Sequence, residues 1–196
     1  MVTDSPNIYY LEDSDNDGKA DIMDTLLTGF ALTNPQHNLN NPVYGIDNWI
    51  YAAHEGIVKS RDYGEEFGDE GTEIYYPAKP DAVRLPQNAS GKSVRFRPDQ
   101  YKLEEMASRC QFGHTFDKWG HWFGSNNSNQ GYQEIIAERY LKRNPQLPPT
   151  DPNHAMSDHL NAPEVFPTTL NPDRQIFTDV GTMTSGSGLT AYLAED

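Results

Sequence analysis

The chain has 196 residues, of which 36% are hydrophobic, and its 29 acidic and 15 basic side chains give a net charge of −14. This acidity argues against a nucleic-acid-binding surface, because no basic stripe is present to neutralise phosphates. The single cysteine, Cys110, excludes an internal disulfide, and no run of about 18 apolar residues is present to form a transmembrane segment.

The first predicted element is a strand over residues 7–11, which leads into an acidic loop. The loop, residues 13–24, has carboxylates at its positions one, three, five, nine and twelve, and glycine at position six. Ca²⁺ binds about six to eight oxygens, and position seven of such a loop contributes only a backbone carbonyl. The sequence therefore predicts a calcium site formed by Asp13, Asp15, Asp17, Lys19, Asp21 and Asp24. A solvated acidic turn is the alternative.

The flanks of this loop indicate which kind of calcium site it is. An EF-hand has a helix on each side and a bidentate glutamate at position twelve. Here strands are predicted over 7–11 and 25–28, and position twelve is the shorter Asp24. The pattern favours a calcium clip that braces two strands, and makes a calcium-regulated signalling protein the weakest hypothesis. Free Ca²⁺ is scarce in cytosol, so we expect a periplasmic or extracellular protein, although the first residues lack the features of a signal peptide.

The rest of the chain alternates short apolar runs with glycine and proline. Only Gln133 to Arg143 has the pattern of a helix, which Asn144-Pro145 would end. Many short strands with turn residues between them predict an all-β fold. The remaining predicted strands are 42–46, 49–54, 93–97, 101–106, 113–117, 121–125, 132–136 and 189–193.

A weak internal repeat indicates how these strands are organised. Residues 44–51 and 115–123 both contain an apolar strand, an Asp-x-Trp turn and a second aromatic strand. A recurring strand–turn–strand unit is typical of propeller blades, in which Trp49, Trp119 and Trp122 would fill the spaces between sheets. The copies are farther apart than one blade, so we predict insertion loops at about 59–92 and 144–175. The sequence predicts a single partial β-propeller over 1–196, with about three to four blades.

Residues 37–51, which run from His37 through Gly45 and Asp47 to Tyr51, resemble a blade of soluble quinoprotein glucose and sorbosone dehydrogenases. The Asp-x-Asp-x-Asp-Gly loop leading into Leu-Leu-Thr-Gly-Phe is still more similar to the "membrane-bound dehydrogenase" propellers of Planctomycetes and Verrucomicrobia. The resemblance covers most of 7–196.

The resemblance implies a site for pyrroloquinoline quinone. In these relatives the histidine matching His37 is the general base that takes the proton of a sugar hydroxyl. The arginine matching Arg109 contacts the quinone, and an amide at the position of Asn127 lies against the cofactor. Cys110 and Phe112 depart from the polar residues that the family has beside this arginine.

Each of these three residues also has a structural interpretation. His37 fits a hydrogen-bonded turn residue, and Arg109 fits an ion pair with one of the many acidic side chains. Asn127 lies in the run Asn126-Asn127-Ser128-Asn129, which is a typical turn composition.

The resemblance implies one function, and the predicted fold leaves a second one open. The first is part of an exported quinoprotein-like dehydrogenase that transfers hydride from a sugar or polyol, with a c-type cytochrome as a possible electron acceptor. Further cofactor-binding residues would come from blades outside this chain, so we expect it not to bind the quinone tightly by itself. The second is a non-enzymatic, calcium-stabilised propeller module that binds a polysaccharide or a protein partner. An enzyme requires His37 and Arg109 to converge on one concave site, whereas a display module does not.

Overall fold

The computed structural model describes residues 1–59, 62–146, 151–157 and 186–194. These residues form antiparallel β-sheets with one short α-helix, which confirms the predicted all-β fold. Within these ranges, no helix has the length and apolar character needed to cross a bilayer.

The first sheet contains β1 (Val2–Asp4), β2 (Asn7–Glu12) and β3 (Ile22–Thr28), paired in that order. The acidic loop joins β2 to β3, so strands flank it on both sides, as predicted. The strand β3 begins at Ile22, earlier than expected, because Ile22 pairs with Glu12 and Met23 pairs with Leu11.

The second sheet begins with the hairpin of β4 (Asn40–Tyr44) and β5 (Ile50–Ala53). The chain then forms a separate two-stranded hairpin, β6 (Glu73–Ile74) and β7 (Leu85–Gln87). It returns with β8 (Val94–Arg97) and β9 (Lys102–Glu105), which complete the sheet in the order β4-β5-β8-β9. The predicted insertion at 59–92 therefore contains a short hairpin of its own.

The third sheet repeats this four-stranded order. It consists of β10 (His114–Phe116), β11 (Trp122–Gly124), β12 (Tyr132–Glu134) and β13 (Asn153–Ala155), with α1 (Glu138–Leu141) between its last two strands. The predicted helix over 133–143 is wrong at its start, because residues 132–134 pair with neighbouring strands.

The strand predicted over 189–193 is also wrong, since these residues have no regular secondary structure. The backbone N–H of Ala191 donates to the Thr115 side chain at 3.3 Å, a contact that forms no strand ladder. The prediction of an irregular stretch over 144–175 is wrong at residues 153–155, which form β13 by pairing with β12. Most of the rest of this stretch lies outside the described residues.

The second sheet is covered on both faces, because alternate residues of a strand point to opposite sides. Ile50 and Ala52 of β5 pack in one apolar cluster with Ile8 and Leu27 of the first sheet. Tyr51 and Ala53 pack in a second cluster with Trp122 and Tyr132 of the third sheet; Cys110 also belongs to this cluster. The three large sheets are thus stacked in chain order.

The Asp-x-Trp repeat forms matching turns in the second and third sheets. The N–H of Trp49 donates to Asp47 Oδ1 at 3.2 Å, and the N–H of Trp119 donates to Asp117 Oδ1 at 2.9 Å. The second carboxylate oxygen of each aspartate contacts the ring residue four positions later, Tyr51 or His121.

The tryptophans fill the space between sheets only in part. Trp122 is buried between the second and third sheets, as predicted. Trp49 is partly buried beneath the Arg95 guanidinium. Trp119 is 67% exposed, which contradicts its predicted role.

The sheets have two distinct ends. The end at which β4, β8 and β10 begin and β5, β9 and β11 finish is called the pocket end, and the end with the Asp-x-Trp turns is called the turn end. β3 finishes at the pocket end, where the N–H of Ala31 donates to Asn88 Oδ1 at 2.9 Å. The seven residues of β3 span roughly 20 Å. The acidic loop therefore lies at the turn end.

Candidate functional site

His37 is held at the pocket end by a short turn just before β4. The turn, Pro35–His37, is a 3₁₀-helix whose preceding residue, Asn34, accepts from the Gln36 N–H at 3.1 Å. Proline suits the first position because it has no N–H to satisfy there. The His37 N–H donates to the Asn34 carbonyl at 2.8 Å, which fixes the backbone that carries the imidazole.

The imidazole of His37 contacts the carboxylate of Glu55, the second residue after β5. Nδ1 of His37 lies 2.5 Å from Oε2 of Glu55, and both side chains are mostly buried. A hydrogen bond in which one partner is ionised is short and strong, so this contact fixes the ring plane. The two residues form a base–carboxylate pair that can hold a proton.

The opposite edge of the His37 ring faces Gln111, a buried residue that is only 3% exposed. Nε2 of Gln111 lies 3.3 Å from Nε2 of His37. Oε1 of Gln111 accepts from the Asn127 N–H at 3.0 Å. Gln111 therefore connects His37 to the loop that carries Asn127.

A polar cavity of about 450 Å³ opens at the pocket end. Its lining combines carboxylates, an arginine and a group of side-chain amides. The lining residues are Glu55, Ala107, Arg109, Asn126, Asn127, Ser128, Asn129, Tyr132, Asp151, Pro152 and Asn153. A neighbouring cavity of about 350 Å³ shares Glu55 and Arg109 with the first. His37 lies behind Glu55 and reaches the cavity through it.

Arg109 follows β9, and contacts on both sides fix its backbone. Its carbonyl accepts from the Tyr132 hydroxyl, and the next residue, Cys110, donates its N–H to the His54 carbonyl at 3.0 Å. In the described part of the chain, the Arg109 guanidinium forms no ion pair or hydrogen bond. Its charge is therefore available to a ligand in either cavity.

Buried contacts of His54 fix the segment that carries Glu55. The His54 carbonyl accepts from Ser93 Oγ at 3.1 Å, and Nε2 lies 3.0 Å from Asn88 Oδ1. Burial lowers the pKa of His54 to about 4, so the ring is neutral near pH 7. A neutral ring with its proton on Nε2 donates to the Asn88 oxygen.

Two glycines allow the Glu55 segment to approach the segment before β8. Gly56 has φ +92, and a Cβ placed on it would lie 2.7 Å from the Cα of Gly91. An L-residue rarely adopts that φ, and no side chain fits the gap. The close approach brings Glu55 to the wall shared by the two cavities.

The acidic loop brings together three of its predicted ligands. Ligand oxygens of Asp13, Asp15 and Asp21 lie within 4.8 Å of one another. Loop N–H groups point at these carboxylates: Gly18 donates to Asp13 Oδ2 at 2.9 Å, and Ser14 donates to Asp21 Oδ2 at 2.8 Å. Hydrogen bonds from Ser14 lower the pKa of Asp21. The oxygen-only donor set and the tight turn at Gly18 fit a hard cation.

The other predicted ligands take different positions. Asp17 Oδ1 accepts from the Lys19 N–H at 2.8 Å, and the Lys19 ammonium lies 3.9 Å from Asp17 Oδ2. Asp24 lies on β3, paired with Tyr10 of β2. The structure therefore groups Asp13, Asp15 and Asp21, whereas Asp17 and Asp24 lie outside that group.

At the pocket end, the structure brings the predicted site residues into one region. Arg109 and Asn127 line the same cavity, and His37 joins them through Glu55 and Gln111. The sequence interpretation missed Glu55 and Gln111. Glu55 follows the strand predicted over 49–54, a position from which side chains commonly enter a site, and Gln111 lies within the Arg109–Gly113 motif.

Comparison with known proteins gives one match. The chain matches the family described as "Domain of unknown function (DUF7133)" over residues 1–196. No curated protein and no solved structure matches it significantly. Because the match covers the whole chain, this protein belongs to the DUF7133 family.

Proposed function

We propose that the chain is part of a β-propeller dehydrogenase of the quinoprotein type, which oxidises a hydroxyl of a sugar or polyol. The stacking of three sheets supports the propeller. Two of them share the strand order of an antiparallel blade and begin with the same Asp-x-Trp hairpin. The proposed reaction is taken from the resemblance of the sequence to quinoprotein dehydrogenases.

One observation carries the proposal: Glu55, the carboxylate partner of His37, lines a polar cavity together with Arg109 and Asn127. Turn residues without a common role need not lie at the same end of two different sheets, so this convergence supports a shared site. A histidine with a carboxylate partner is a suitable proton acceptor near neutral pH. The Arg109 guanidinium, which has no ionic partner in the described part of the chain, can stabilise negative charge that develops in the same cavity.

The lining fits the oxygens of a quinone but only partly fits the charge of the whole cofactor. When bound, pyrroloquinoline quinone supplies the acceptor for hydride from the sugar carbon. Arg109 and the Asn127 amide would hold its oxygens, while the His37–Glu55 pair takes the hydroxyl proton. One arginine and two carboxylates, Glu55 and Asp151, leave the lining negative. We therefore expect these residues alone to hold a tricarboxylate weakly, and further basic residues to come from other blades.

Substituting His37 tests the reaction. We expect His37→Ala to lower dye-linked oxidation of aldoses and polyols by about 100-fold or more, because a positioned base contributes about 10²–10⁴. The assay uses the protein that carries the remaining blades, with added pyrroloquinoline quinone. The matched control is His121→Ala, which removes a histidine paired with Asp117 at the turn end. Unchanged oxidation in His37→Ala would refute the proposed base.

The polysaccharide-binding alternative is favoured by a different feature of the cavity. Four asparagines, Asn126, Asn127, Asn129 and Asn153, line it. Amides can donate to and accept from sugar hydroxyls without any cofactor. In that case the wild-type protein would bind sugars and oxidise none, and a c-type cytochrome partner would have no role. We propose an exported location for either function.

We further propose that Ca²⁺ binds the acidic loop and braces β2 against β3. Asp13, Asp15 and Asp21 would supply the grouped carboxylate oxygens. The Lys19 carbonyl, Asp17 and Asp24 are the remaining proposed ligands, and Asp17 and Asp24 would have to move towards that group to reach the ion. The loop lies at the turn end, about the length of β3 from the cavity. The ion would therefore stabilise the fold and take no part in the chemistry.

We expect 10 mM Ca²⁺ to raise the free energy of unfolding by about 1.4–2.7 kcal/mol relative to EDTA, as a site with a dissociation constant of about 0.1–1 mM would. Urea unfolding followed by tryptophan fluorescence measures the change. We expect Asp15→Asn to abolish the stabilisation by Ca²⁺. The control Asp81→Asn, at an exposed position outside the loop, should retain this stabilisation. An equal response of both variants would mean that Ca²⁺ acts away from the loop.

A further inference from the structure

Gln111 has two different amide atoms, and its surroundings decide which atom faces His37. The Asn127 N–H requires an acceptor and lies 3.0 Å from Oε1. The Gln36 carbonyl requires a donor and lies 3.5 Å from Nε2. The opposite orientation would set donor against donor at Asn127 and acceptor against acceptor at Gln36. The NH₂ group of Gln111 therefore faces the imidazole.

The backbone of Gln111 leaves the side chain little freedom to turn away. Its N–H donates to the Ser125 carbonyl at 3.1 Å, and its carbonyl accepts from Asn40 Nδ2 at 2.8 Å. These contacts tie Gln111 to β4 on one side and to the end of β11 on the other. With the side chain almost fully buried, the amide is a fixed donor beside the histidine.

A fixed donor at Nε2 of His37 determines the protonation of the ring. The Nε2 atom must present its lone pair to the Gln111 NH₂ group, 3.3 Å away. The ring proton must then be on Nδ1, where it is donated to Glu55 at 2.5 Å. We propose that Gln111 is a positioning residue that holds His37 as the neutral Nδ1–H tautomer, with the unprotonated Nε2 accepting from the Gln111 NH₂ group.

The charged groups near the His37 imidazole explain why a neutral amide, Gln111, suits this position. Glu55 is the ionisable group in direct contact with His37. Arg109 and Tyr132 line the same cavity as Glu55, and, besides burial, the charge of Glu55 contributes to raising the pKa of Cys110 and of Tyr132. Burial holds the thiol and the phenol neutral. A second carboxylate in place of the Gln111 amide would attract a proton to Nε2. The base would then be protonated before a substrate arrives.

The test is the tautomer itself, measured by long-range ¹H–¹⁵N NMR on histidine-labelled protein. The chain has six histidines, and His37→Ala assigns the signal. In wild-type protein above pH 8, we expect Nδ1 to have the shift of a protonated nitrogen and Nε2 that of an unprotonated one. The Nε2–H tautomer in wild-type protein would overturn the proposal, whether or not any variant folds.

The variant Gln111→Glu gives the second readout. We expect the pH midpoint of the His37 titration to rise by at least one unit, a tenfold gain in proton affinity, because an adjacent carboxylate favours the charged ring. Gln87→Glu, which adds the same charge in the neighbouring cavity, should leave the midpoint within a few tenths of a unit. Equal midpoints in Gln111→Glu and wild type would contradict the assignment.

The inference rests on the proposed function only for its catalytic meaning. If the protein oxidises no sugar but the NMR shows the Nδ1–H tautomer, the positioning role stands and the reaction fails. If sugar oxidation depends on His37 but the ring is the Nε2–H tautomer, the reaction stands and the role of Gln111 fails.

Discussion

Lowering the pH from 7 to 5 is expected to reduce the free energy of unfolding by about 4 kcal/mol. Burial lowers the pKa of both His54 and His114 to about 4, whereas an unfolded histidine titrates near 6.5. Between these values the unfolded chain binds the protons more tightly. The stability is therefore present above pH 6.5 and is lost as the pH falls towards 4, at about 2 kcal/mol for each ring at pH 5.

Urea unfolding at the two pH values measures this loss. The variant His114→Phe distinguishes the contribution of His114 from that of His54. Both ring nitrogens of His114 are buried with no hydrogen-bond partner among the described residues, and the ring packs among Tyr51, Phe116 and Trp122. We expect the variant to lose about half of the pH dependence and to be at least as stable at pH 7. Glu134, whose pKa is raised by burial, opposes the trend in all variants alike. A wild-type protein equally stable at pH 7 and 5 would contradict the prediction.

Gly56→Ala is expected to destabilise the fold by about 3 kcal/mol. The substitution combines a positive φ, which an alanine adopts at a cost of about 1 kcal/mol, with a contact of 2.7 Å to the Cα of Gly91. Backbone atoms cannot rotate away as a flexible side chain would, so the segment carrying Glu55 must shift. Thermal unfolding measures the loss, and the histidine titration described above detects the displacement of Glu55.

Gly188→Ala is the matched control for strain alone. Gly188 also has a positive φ, +71, but an added Cβ would meet no atom of the described residues within 4 Å. We expect this variant to lower the free energy of unfolding by at most about 1 kcal/mol. Similar losses at the two positions would mean that the contact between Gly56 and Gly91 contributes nothing.

The strands that were predicted from sequence are those with several apolar or aromatic residues in succession. Ile8, Ile50 and Phe96 each lie in such a run, and each is buried in the core that the runs predict. The strands β6 and β7 were missed because each contributes only one buried residue, Ile74 or Leu85, to that core. Strands of two or three residues have no periodicity to detect. Their pairing depends on tertiary contacts.

The same distinction applies to the site. Asp13, Asp15 and Asp21 were predictable because their spacing within one loop is itself the chemical signal. Glu55 and Gln111 contact His37 from positions 18 and 74 residues away in the chain. Only the folding of the second sheet against the third brings them together. A single sequence carries no local sign of that proximity.

The thiol of Cys110, the only cysteine in the sequence, can be used to measure how often the second and third sheets separate. It has no exposed surface, donates to the Gly113 carbonyl at 2.7 Å, and its pKa is raised by burial to about 11. A maleimide or disulfide reagent reacts with the thiolate, so modification must wait until the second and third sheets separate. The rate of thiol labelling under native conditions would therefore measure the frequency with which the sheets that form the cavity separate, and no engineered probe is needed.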